Sequence, residues 1–118
     1  MKLSIKYVKD HGALKDERIV LKAMESVDVG SYMLADTTYM DEDQVSNKIR
    51  HTFWLPDKDV DKGDIIVVYT KSGKDSTKSN KSGNKTHFFY WGLERTIWNK
   101  DQDAAVLFSI RDWLSKKV

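Results

Sequence analysis

The sequence predicts an all-β fold in two stacked layers, a β-sandwich of about seven to nine short strands. Apolar residues recur with period two in short runs, the pattern of strands with one face buried. Turn residues (Gly, Asp, Asn, Ser) separate those runs, and no long stretch carries a helical repeat. The stretch 87–108 reads HFFYWGLERTIWNKDQDAAVLF, with Trp91 and Trp98 on either side of a glycine turn and an apolar run behind them. Aromatics beside a turn, followed by a strand, suit a β core that closes on itself. At 118 residues the chain forms one domain, 1–118, with no room for two independent cores.

Leu3, Ile5 and Tyr7 alternate with Lys2, Ser4 and Lys6, predicting a half-buried first strand. ERIVLKAM (17–24) places Ile19, Leu21 and Ala23 on one face and Val20 on the other. Helix-favouring residues compete there, but the short length and flanking turns favour a strand. Val27, Val29, Gly30, Tyr32 and Leu34 predict strand, turn and strand, with Asp36 as a turn former. The polar, acidic segment 39–48 reads as a loop or one helical turn. In 49–55 Ile49, His51, Phe53 and Leu55 alternate with Arg50, Thr52 and Trp54, and Pro56 ends the run because it has no N–H for a ladder. After a turn over 57–64, the β-branched run IIVVYT (65–70) suits a central strand. Residues 86–91 and 104–110 give two more strands, and RDWLSKKV closes the chain as a strand or short helix laying Trp113 on the body.

Composition narrows the chemistry. There is no cysteine, so disulfides, thiolate metal sites and a cysteine nucleophile are excluded. The first residues hold no apolar run of the length a signal peptide needs, and nothing approaches the roughly 20 apolar residues of a membrane span. A soluble, cytoplasmic protein without membrane contact is expected. The net charge of +2 divides unevenly: 71–87, KSGKDSTKSNKSGNKTH, carries +4 and the rest −2. That segment has no apolar period and predicts a flexible basic loop over 71–86.

ERIVLKAMESVDVGSYMLADTT resembles the opening of a lamin tail domain, through Glu17, Ile19, Leu21, Val27, Asp28, Val29, Tyr32, Leu34 and Asp36. Tyr32 stands where that family usually has tryptophan, and Ala23 where asparagine is common. Phe53, Pro56, Val60, Gly63, Val67 and Val68 are similar to the family's middle hairpin, with Lys62 in place of a proline. Trp98, Asn99, Asp103 and Leu107 resemble its closing element, whereas Lys100 and Gln102 depart from it. The resemblance implies an immunoglobulin-like sandwich and a non-catalytic, stand-alone module of a family associated with binding proteins and DNA.

Lys71, Lys74, Lys78, Lys81 and Lys85 are candidate phosphate contacts, because ammonium groups on an extended segment neutralise several phosphates without reading sequence. The plainer reading is a solubilising excursion. Of His87, Phe88, Phe89 and Tyr90, which follow directly, strand alternation sends half to the core and leaves half as a stacking surface. Trp54, on the strand face opposite Phe53, is a candidate protein-binding anchor with Tyr90. Trp91 and Trp98 belong to the core or its rim, where a buried indole N–H needs an acceptor.

Asp57, Asp59, Asp61 and Asp64 superficially mimic a calcium loop, but the sixth and twelfth positions hold Lys62 and Val68 instead of glycine and glutamate. Asp101 and Asp103 suit turn donors better than an acid–base pair. His11, His51 and His87 lack zinc spacing. A deep pocket with a histidine beside a carboxylate would argue for an enzyme. The expected function is therefore a non-enzymatic, cofactor-free binding or adaptor module with a protein partner, the alternative being nucleic-acid binding through 71–87. Free sheet edges also suit a homodimer.

Overall fold

A computed structural model describes residues 1–41, 43–99 and 102–118. They form a nearly all-β protein. The strands are β1 (Leu3–Lys9), β2 (Arg18–Ala23), β3 (Val27–Asp28), β4 (Tyr32–Asp41), β5 (Gln44–Val45), β6 (His51–Trp54), β7 (Asp59–Val60), β8 (Ile65–Tyr69), β9 (Ser76–Ser79), β10 (Lys85–Tyr90) and β11 (Asp103–Ser109). A 3-10 turn, Val29–Ser31, joins β3 to β4, capped by the Asp28 carboxylate, which accepts from the Gly30 N–H. Among the described residues no helix is long and apolar enough to cross a membrane.

The larger sheet has the order β1-β2-β8-β10-β9, so the β-branched β8 takes its centre as its sequence predicts. All its pairs are antiparallel except β8–β10, which run parallel with Tyr69 beside Tyr90. The second sheet places β4 between β11 and β6, with β5 folded back on the far end of β4. β3 and β7 form a separate two-stranded bridge. One core joins the sheets: Ile19, Leu21, Ile66, Val68 and Phe89 from the first meet Tyr32 and Leu34 from the second. Burying each such side chain contributes roughly 1.5–3 kcal/mol, which is why these positions alternate so strictly in sequence.

Four local expectations need correction. In β1 the register shifts between Ile5 and Tyr7, so Val8 turns towards the core and Tyr7 is 54% exposed. A bulge inserts one residue and flips the alternation behind it. Asp36 is no turn former; it lies inside β4 and is buried. It tolerates that position because the His51 N–H and Arg50 Nε donate to it, at 2.8 and 3.1 Å. Segment 39–48 is no helical turn, since β4 continues to Asp41 and pairs with β5. The basic segment is not all loop. Ser76–Ser79 form β9, paired with β10 and closed by a turn in which the Gly83 N–H donates to the Asn80 carbonyl. A Ser/Thr/Lys edge strand buries almost nothing, so it leaves no apolar alternation to read; its ladder with β10 holds it.

The 57–64 turn contains β7. The C-terminal 110–118 has no regular structure, and Trp113 meets the Trp54 ring edge-on at 5.1 Å while staying 63% exposed.

Candidate nucleic-acid interface

Register fixes which side chains share the outer face of the five-stranded sheet. Ile19, Leu21, Ile66, Val68 and Phe89 point into the core, so their neighbours in sequence point out. Paired residues in adjacent strands lie on one face, which brings Tyr7, Val20, Val67 and Phe88 into line, with Arg18, Tyr69 and Tyr90 beside them. Val20 and Val67 are covered by these larger neighbours and form an apolar floor.

Three rings on this face are nearly parallel. Tyr69 lies 5.3 Å from Tyr90 and 6.5 Å from Phe88 between centroids, at interplanar angles of 11° and 24°. Lys71 Nζ sits 5.0 Å and Arg18 Cζ 5.7 Å from the Tyr69 centroid, within cation–π range. The charged residues at outward strand positions are Lys9, Arg18, Lys22 and Lys78, all cationic. Asp10, just past β1, engages Arg18 at 2.9 Å and offsets part of its charge. Lys9, Arg18 and Lys71 gather at the Tyr69–Tyr90 end, Lys22 and Lys78 at the Ile65–Thr86 end.

The five candidate lysines do not form one loop cluster. Lys71 and Lys74 follow β8, Lys78 lies opposite Thr86 on β9, Lys81 is in the hairpin turn, and Lys85 opens β10. They span the length of the sheet. His87 and Phe89 are buried while Phe88 and Tyr90 face out, the division that alternation predicts. Trp54 is 45% exposed but belongs to the second sheet, so it shares no site with Tyr90; its Nε1 donates to the Gly30 carbonyl at 2.8 Å. Sequence reasoning missed Tyr7, Tyr69, Arg18 and Lys22. For Tyr69 the signal was present in the parity of IIVVYT, which puts it on the face opposite Ile66 and Val68.

Two histidines meet buried carboxylates. His51 Nδ1 lies 3.0 Å from Asp36, beside a cleft of about 540 Å³ that Glu94, Arg95 and Thr96 also line. This is the pairing an enzyme would use, but the Asp36 carboxylate is already engaged by Arg50 Nε and the His51 backbone N–H, which tie it into the second sheet. His87 Nε2 lies 2.8 Å from Asp64, and its Nδ1 is 3.3 Å from Thr77 Oγ1. Lys58 Nζ donates to that same hydroxyl, at 2.6 Å. Asp64 turns inward and does not gather with its neighbouring aspartates; among the described residues no three His, Asp or Glu side chains converge as metal ligands. Asp103 serves its turn, accepting from the Asn99 N–H at 2.7 Å; Asp101 lies outside the described residues. Trp98 lies in the core, and among the described residues no acceptor meets its Nε1.

Gly73 crosses the Tyr90 ring so closely that a Cβ there would lie 2.4 Å from it. Gly73→Ala is expected to push Tyr90 out of its stack with Tyr69, at a cost of about 1–3 kcal/mol. Thermal denaturation and the Tyr90 ring resonances check this; an unmoved ring would contradict it. Comparisons with family models, curated proteins and solved structures return no match.

Proposed function

We propose that this chain is a non-enzymatic, cytoplasmic binding module that engages nucleic acid through the outer face of its five-stranded sheet. One observation carries the proposal: the outward strand positions join four aromatic rings to cations of a single sign. Carboxylates at those positions would repel phosphates, and none is there. We further propose an immunoglobulin-like sandwich organised like a lamin tail domain. In support, eleven of the nineteen residues that carry the resemblance are buried, Glu17, Leu21, Leu34 and Trp98 among them, whereas Pro56 and Asn99 are exposed. The parallel β8–β10 pair is a departure from an all-antiparallel sandwich. A protein partner docking on Trp54 is the second reading, favoured by the exposed Trp54–Trp113 pair on the other sheet.

Fluorescence anisotropy with labelled oligonucleotides at several salt concentrations tests the first reading. About five engaged cations predict a log–log salt slope near −3.5 for single strands, and replacing Lys22, Lys71 and Lys78 together by glutamine should flatten it by about 2. Absence of binding to any nucleic acid at low salt would refute it.

A further inference from the structure

Resting on that reading, we infer that the face takes single-stranded nucleic acid, with unstacked bases laid against Phe88 and the exposed ring of Tyr7, which stand in one row with Val20 and Val67. Tyr69 and Tyr90 are stacked on each other, with Arg18 and Lys71 over Tyr69 and Gly73 against Tyr90. The aromatic residues stand on strands, over a floor of Val20 and Val67, and the outward positions form an extended surface instead of a projecting reader. Duplex grooves are read by elements that reach into them, a helix or a two-stranded ribbon. In a duplex the faces of the bases are hidden inside the stack, so rings on a sheet face gain nothing from them. A single strand can splay its bases onto aromatic rings while its backbone follows cations alongside.

The geometry provides for both contacts at once. Lys71 and Arg18 lie within 5.0 and 5.7 Å of the Tyr69 centroid, which puts phosphate-binding charge next to the stacking surface. Lys22 and Lys78 lie at the other end of the same strands, so a strand crossing the rings meets positive charge at both ends of its path. Neither contact reads base edges, so little sequence preference is expected.

The test compares single-stranded DNA, single-stranded RNA and duplex DNA of one mixed sequence, about a dozen nucleotides long, at equal salt. Single strands should bind at least tenfold tighter than the duplex, and the two single-stranded arms tell which polymer is preferred; tight binding of either supports the inference. Tyr7→Leu and Phe88→Leu should each weaken single-strand binding on the order of tenfold. Tyr39→Leu, an exposed aromatic on the second sheet, should leave it unchanged. A 2-aminopurine base in the strand should be quenched on binding the unmodified protein, a readout of stacking that needs no variant to fold. Equal affinity for duplex and single strand, or no quenching, would overturn the inference while leaving nucleic-acid binding intact. If no polymer binds, the reading beneath it fails as well.

Discussion

Glu17→Ala should lower stability by about 3–5 kcal/mol, enough to move the thermal midpoint of a chain this size by roughly 10–25 °C. Glu17 is fully buried, and four donors converge on its carboxyl group. Thr70 Oγ1 donates at 2.6 Å, the Gly12 N–H at 2.8 Å, the Ile97 N–H at 3.1 Å and the Trp98 N–H at 3.4 Å. These donors come from three separate places: the turn before β2, the end of β8 and the 93–98 connection. Alanine would leave the Thr70, Ile97 and Trp98 donors unpaired where water does not reach, and each orphaned donor costs more than a satisfied bond contributes. Glu17→Gln keeps the shape but sets its amide N–H against a backbone or hydroxyl donor, so an intermediate loss is expected. Urea denaturation with an unchanged m-value measures both. A loss under 1 kcal/mol for the alanine variant would show that the loops hold without this anchor.

Asp64 makes the second large effect, and it depends on pH. Burial by itself would raise its carboxyl, but the hydrogen bond from His87 and those from the Lys85 and Asp61 N–H groups outweigh it and hold the group below its ordinary value of 3.8. The unfolded chain therefore takes up a proton at a pH where the folded chain still refuses it. The stabilisation is complete above the ordinary value and is lost as pH falls through it towards the folded one. Wild type should thus lose stability steeply below about pH 4. Asp64→Asn should be about 2–3 kcal/mol less stable at neutral pH and flatter in acid. Urea midpoints between pH 3 and 7 decide it, and parallel curves for the two proteins would refute it. Because Asp64 holds the first residue of β10, its loss should also loosen Phe88 and Tyr90 on the candidate face.

Much of the fold was legible because burial imposes alternation. β2, β8 and β10 follow their sequence patterns almost residue by residue, since each turns an apolar row into one core. Where the energy lies elsewhere, the pattern is silent. β9 is held by its ladder, the β1 bulge by a local register shift, and Asp36 by donors that arrive from β6 and the residue before it. Glu17 stood out only as part of a resemblance; its role requires residues 80 positions away, a distance no local reading spans. The site was half legible. Alternation separated Phe88 and Tyr90 from His87 and Phe89, but Arg18, Tyr69 and Lys71 come together only through the pairing of β2 with β8.

The most direct measurement is an amide and aromatic chemical-shift map of the labelled protein titrated with a short single-stranded oligonucleotide. Shifts should concentrate at Arg18, Tyr69, Lys71, Lys78, Phe88 and Tyr90, and spare Trp54 and Trp113. Shifts centred on the two tryptophans, or none at a saturating concentration, would contradict the account.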